Sequence, residues 1–292
     1  SGTVGKNLNT GGWSTDSGNG PQDPVFGNEY AWSGSQGGYA DCREGGDSAA
    51  FVRNVDSETV YVSLMFRYTV DNGNPTTTKG VRVHADDGPN VYTSRPMAVV
   101  QDFYDEHRHT ISAFQDTGSK ASDYTQNLAQ NTWMRKEYYF KMSSPPGASN
   151  GLVQSWIDTK STAEWSGVTR DAGVNNNYQL AMLPFFMGGG GGGRIWYDDA
   201  YISRSLARVE VCNSASWSDC GTRSIQLPTS WNGNSITAKL NLAGLDRAGD
   251  LYVYVVDGDG AVSSSFLLGS APVEAETILP SPPDNLSVEM TQ

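Results

Sequence analysis

In the run Trp133-Met134-Arg135-Lys136-Glu137-Tyr138-Tyr139-Phe140-Lys141-Met142, aromatic and ionisable side chains recur every second position. If the run is a strand, Trp133, Arg135, Glu137, Tyr139 and Lys141 share one face, while Met134, Tyr138, Phe140 and Met142 turn to a core. Flat aromatic rings stack on pyranose rings, and Arg, Gln and Glu take hydroxyls or carboxylates, so such a row suits a sugar. Neighbouring strands can add Arg82 and His84 from Val81-Arg82-Val83-His84, and Gln154 and Trp156 from Leu152 to Asp158. The same types can also run a β-elimination on a uronate polymer. That reaction needs a cation to neutralise the carboxylate, a base for the C5 proton and an acid for the leaving oxygen. Arg82 or Arg135 suits the first task, and Tyr139, His84 or Lys141 the other two. The competing reading is a solvated strand face on which Arg135, Glu137 and Lys141 pair across strands.

A second constellation follows six glycines, Gly188 to Gly193, which have no side chains to pack and so form a loop before Arg194-Ile195-Trp196-Tyr197-Asp198-Asp199-Ala200-Tyr201-Ile202-Ser203. Asp198 and Asp199 point to opposite faces of a regular strand, so only a bulge lets both serve one site. One of them can join backbone carbonyls and Glu29 around Ca²⁺, fastening the first strand to the last. Alternatively Asp199 caps a turn or pairs with an arginine. Asp105, His107 and His109 have the types of a metal site but read as a solvent-facing turn. Asp257-Gly258-Asp259-Gly260 lacks the length and closing Glu of a calcium loop and reads as a hairpin turn.

The elements that must position these groups are strands. The 292 residues include 33 Gly, 13 Pro, 8 Trp and 14 Tyr, a composition of many short strands and turns. Val60 to Tyr68 alternates with period two, placing Val60, Val62, Leu64, Phe66 and Tyr68 on one face. Further strands are expected at Lys79 to Ala85, Met97 to Phe103, Thr110 to Gln115, Trp133 to Met142, Leu152 to Asp158, Tyr178 to Phe186 and Arg194 to Ser203. The fold class is therefore all-β: a jelly-roll β-sandwich of seven or eight strands over residues 1–204, then a small β module over 205–270. Residues 271–292 are rich in Pro, Glu and Ser and read as an extended tail lying on its own domain or on a neighbouring copy.

Net charge is −12 with no basic run, which argues against nucleic acid and anionic membranes as partners. No apolar stretch is long enough to span a bilayer, and the chain opens without the charged and apolar regions of a signal peptide, as a processed protein would. Cys212 and Cys220 are spaced to close a short disulfide loop, which points to a secreted protein, extracellular or at the cell surface; Cys42 has no evident partner.

The run Trp133 to Met142, the following Gly151-Leu152-Val153-Gln154-Ser155-Trp156-Ile157-Asp158 and the closing Trp196-Tyr197-Asp198-Asp199-Ala200-Tyr201-Ile202 together resemble the concanavalin A-like lectin/glucanase superfamily, in particular its bacterial polysaccharide lyases and laminin-G-like modules. Ile225-Gln226-Leu227-Pro228-Thr229-Ser230-Trp231 with Leu251 to Asp259 is similar to a small module found behind such domains in secreted bacterial proteins. The resemblance implies a jelly roll with one concave, glycan-facing sheet and a structural calcium near the termini. It does not extend to the Glu-x-Asp-x-x-Glu of the family's glucanases or the Tyr-x-Lys-Ala-Gly of its alginate lyases. The expectation is a secreted bacterial protein whose partner is a polysaccharide, bound and, if an enzyme, cut by β-elimination. The rival is a structural subunit of an extracellular filament or surface layer, a homo-oligomer joined through the C-terminal tail.

Overall fold

The computed structural model describes residues 14–16, 25–34, 37–41, 50–70, 77–85, 97–103, 108–113, 120–125, 128–182, 185–187, 193–268 and 287–291. The chain divides into two compact units, Ser1–Arg204 and Ser205–Gln292.

The first unit holds β1 (Ser14–Asp16), β2 (Val25–Gly27), β3 (Gly37–Asp41), β4 (Ala50–Ser57), β5 (Thr59–Val70), β6 (Thr77–His84), β7 (Met97–Phe103) and β8 (Arg108–Ala113). It continues with β9 (Lys120–Thr125), β10 (Met134–Lys141), β11 (Gly151–Ile157), β12 (Lys160–Gly167), β13 (Tyr178–Met182), β14 (Phe185–Met187) and β15 (Gly193–Ser203). One sheet has the order β1-β4-β13-β6-β7-β8-β9, with β14 also on β6; the other runs β12-β11-β10-β5-β15-β3-β2. All the pairings in both are antiparallel. The sheets share one core and form the expected β-sandwich, built of more strands than the sequence pattern predicts. The short β1, β2 and β14 carry too few residues to show a period, and β9 and β12 are too polar.

The alternation read from Val60 to Tyr68 sets this core. Val60, Val62, Leu64, Phe66 and Tyr68 are at most 2% exposed and pack with Met134, Tyr138 and Phe140 of β10 and with Val81, Val83, Ala98 and Val100 of the facing sheet. Lys136 sits on the same inward face of β10, fully buried, with its Nζ 4.2 Å from the Phe66 ring centroid. Each nonpolar side chain moved from water to such a core stabilises the fold by about 1.5–3 kcal/mol.

The second unit is a six-stranded sheet. In chain order its strands are β16 (Arg208–Cys212), β17 (Arg223–Trp231), β18 (Ser235–Lys239), β19 (Tyr252–Val256), β20 (Phe266–Leu267) and β21 (Ser287–Thr291), arranged β20-β19-β16-β17-β18-β21. Val209 and Val211 face an apolar cluster with Ile236, Ala238, Leu251 and Val253. On the opposite face, fully buried Glu210 lies 2.5 Å from Arg208 Nε and 4.0 Å from Arg223 Nε. Cys212 and Cys220 form the expected disulfide, their Cα atoms 5.8 Å apart, and Cys42 lies outside the described residues. Asp257 Oδ1 accepts the N–H groups of Asp259 and Ala261, closing the expected turn before the Val256–Val262 bridge. Part of the tail, β21, pairs in parallel with β18 of its own chain, Ser235 opposite Ser287 through Lys239 opposite Thr291.

Candidate functional site

The outer face of the seven-stranded sheet is built by the positions that alternate with the core. On β5 these include Tyr61, Ser63, Arg67 and Thr69, because Val62, Leu64, Phe66 and Tyr68 point inward. Arg67 pairs in register with Trp196 of β15, whose neighbours Ile195 and Tyr197 are core. The Arg67 guanidinium carbon lies 4.1 Å from the Trp196 ring centroid and 5.4 Å from that of Trp133, just before β10. Trp133 in turn meets Trp32 at 5.9 Å. On the other flank Trp196 meets Tyr39 of β3 at 5.3 Å, and Tyr39 stacks on Tyr30 at 4.4 Å. Strands about 4.8 Å apart bring such groups into contact across the sheet. The result is a stripe, Tyr30, Tyr39, Trp196, Arg67, Trp133 and Trp32, running across the strands.

Beside the stripe, Arg135, Glu137 and Tyr139 do share a face, as expected, but the face is closed. They are 7%, 3% and 7% exposed. Arg135 Nη2 donates to Glu137 Oε1 at 3.1 Å, Tyr61 Oη donates to the same oxygen at 2.5 Å, and Arg135 Nε reaches Ser63 Oγ at 3.2 Å. Asp158 secures the strand end: its Oδ1 accepts the Arg135 N–H, and its own N–H donates to the Arg135 carbonyl. Burial pushes the Asp158 carboxyl above its usual range despite that hydrogen bond. Half-buried Trp156 stands opposite Glu137, half-buried Gln154 donates to Glu164 at 2.7 Å, and Lys141 is exposed at the far end of β10. The Arg135 charge is thus engaged by Glu137, and the pairing is buried rather than solvated.

Arg82 and His84 are not part of this face. They lie on β6 of the other sheet, and since Val81 and Val83 enter the core, both point to that sheet's outer surface, across the sandwich from Glu137. They are 2% and 1% exposed; Arg82 stands opposite Val99 and Met182, His84 opposite Met97 and Leu180. Local alternation identifies the inward side of a strand but not the sheet it joins, so Arg82 and His84 do not share a face with Arg135, Tyr139 and Lys141 as the sequence suggests.

Asp198 and Asp199 converge because β15 bulges between Asp198 and Tyr201, with Asp199 at φ +46°. Asp198 Oδ2 accepts the N–H groups of Trp32 and Ser33 at 2.7 and 2.8 Å, and its Oδ1 that of Asp199 at 2.8 Å. Ser33 Oγ donates to Asp199 Oδ1 at 3.2 Å. Burial raises the Asp198 pKa, opposed by these three backbone donors. The two carboxylates therefore hold the turn that carries Trp32. The Asp198 oxygens are thereby engaged as acceptors of backbone N–H groups. Glu29 is exposed, and among the described residues no three His, Cys, Asp or Glu side chains are grouped to hold a metal. Asp105 and His107 lie outside the described residues, and His109 is placed only as backbone of β8.

Sequence reasoning missed Arg67, Trp196, Tyr39, Tyr30 and Trp32. Arg67 was legible as the polar break on the outward side of an otherwise regular strand. The others meet only once β3 and β15 are paired.

No protein-family model matches the chain, and no curated protein matches it. Among solved structures it is similar to an endo-β-1,4-glucuronan lyase from the fungus Trichoderma reesei, with 13% identity and a TM-score of 0.43 over 63% of this chain and 87% of that one. Alginate lyase vAL-1 from a Chlorella virus gives 10% and 0.44 over 66% and 93%. The carbohydrate-binding module CBM66 from Bacillus subtilis gives 9% and 0.39 over 67% and 97%. The activities of these structures belong to those proteins.

Proposed function

We propose that this protein binds a polysaccharide along the aromatic stripe of the seven-stranded sheet, as a secreted or cell-surface glycan-binding protein. The observation that carries this reading is the unbroken contact sequence from Tyr30 to Trp32 with Trp32 37% exposed at its end. Rings in a row, half-buried at Tyr30, Tyr39 and Trp133, exposed at Trp32 and buried at Trp196, offer apolar faces to successive sugars. The Cys212–Cys220 disulfide favours an oxidising compartment. Lyase chemistry at Arg135 is disfavoured, because its charge is held by Glu137 and His84, one of the three candidates for proton transfer, lies across the sandwich.

Affinity electrophoresis against a panel of neutral and acidic polysaccharides tests the reading. At least one polymer should retard the protein, and Trp32→Ala or Trp133→Ala should weaken that retention about tenfold, as expected for a lost stacking contact. Retention by none of the polymers would sink it. The same mixtures followed for ultraviolet absorbance of an unsaturated product should stay flat.

A further inference from the structure

The stripe contains one group that stacking on neutral sugar does not require. Arg67 is half-buried, its Nε is buried without a hydrogen-bond partner, and it makes no ion pair among the described residues. Other arginines differ: Arg135 pairs with Glu137, Arg170 with Glu58 and Arg208 with Glu210. In a chain with 32 acidic and 20 basic residues, an arginine with ring contacts and no ion pair among the described residues is not short of potential partners. Two positions along β5, Thr69 also hides a hydroxyl without a partner, and Arg194 stands opposite it in register, 4.0 Å from Asp41. A guanidinium between two tryptophans also occupies ring surface that a neutral sugar would use. Cations in desolvated surroundings with unmade hydrogen bonds are stabilised chiefly by an anion that accepts them.

We infer that Arg67, with Thr69 and Arg194 beside it, forms a subsite for the acidic substituent, carboxylate or sulfate ester, of an anionic glycan lying on the stripe. The inference rests on the glycan-binding reading above. Burial without an opposing charge lowers the Arg67 pKa, which accords with a cation awaiting its counter-ion.

The test measures affinity for polygalacturonate, dextran sulfate, neutral galactan and neutral dextran. Wild type should prefer an anionic polymer over its neutral counterpart, and the preferred one names the substituent. Arg67→Gln should cut the anionic-to-neutral affinity ratio at least about tenfold, Thr69→Val less, and Arg67→Lys should recover part of the loss. An unchanged ratio in Arg67→Gln, or equal affinity of wild type for charged and neutral polymers, overturns the subsite while leaving glycan binding intact. Failure of all four polymers, together with the wider panel, removes both. Should Arg67→Gln not fold, competition on the wild type decides: galacturonate should displace bound polymer at lower concentration than galactose, and equal competition refutes the subsite.

Discussion

Asp198 carries the turn that presents Trp32, and it does so as a partly buried carboxylate whose pKa lies above the ordinary range. A carboxyl whose folded pKa exceeds its unfolded value, about 3.9, adds stability fully below that value and loses it as pH rises through the folded pKa. The advantage of wild type over Asp198→Asn in urea unfolding should therefore grow as pH falls through the acidic range; a shrinking advantage would contradict the burial argument. The residue's importance was legible from an acidic pair in an otherwise aromatic strand. Its job was not, because the Trp32 and Ser33 amides it binds lie more than 160 positions away.

Strands decide which side chains become neighbours, and β3 has little slack in doing so. A Cβ added at Gly37 would come 2.2 Å from the Tyr30 carbonyl oxygen, a backbone atom that can move only with the turn bearing Tyr30 and Trp32. Gly37→Ala should therefore displace that end of the stripe and weaken polymer binding several-fold, while the core shared by β5 and β10 keeps the unit folded. Circular dichroism with affinity electrophoresis checks both halves. In the second unit, β21 covers the edge of β18. An open edge invites pairing with other chains. Deleting residues 287–291 should lower the melting temperature and raise the apparent mass in light scattering; an unchanged mass and melting curve would mean that this strand contributes little. The polar tail was expected to lie on something, but neither its register nor its acceptor strand is written in its composition.

At the scale of the whole molecule, charge and composition settle the class: a chain with net charge −12, many turn residues and period-two runs makes sheets and repels polyanions without a local cation. Alternation alone correctly assigned the inward faces of β5 and β10, and spacing correctly suggested the Cys212–Cys220 bridge, because both depend on residues close in sequence. The candidate site was legible only in part. Trp133 belongs to it, and Arg135, Glu137 and Tyr139 adjoin it as a buried network, whereas Arg82 and His84 lie on the other sheet. By itself, then, the amino-acid order determined the longer strands, the buried faces of β5 and β10 and the all-β class, since these follow from a two-residue repeat. Only the tertiary structure decided strand order: it set β15 and β10 on either side of β5, closing Trp196 and Trp133 on Arg67, because pairing between distant strands is chosen by the packing of the whole core and not by any one strand.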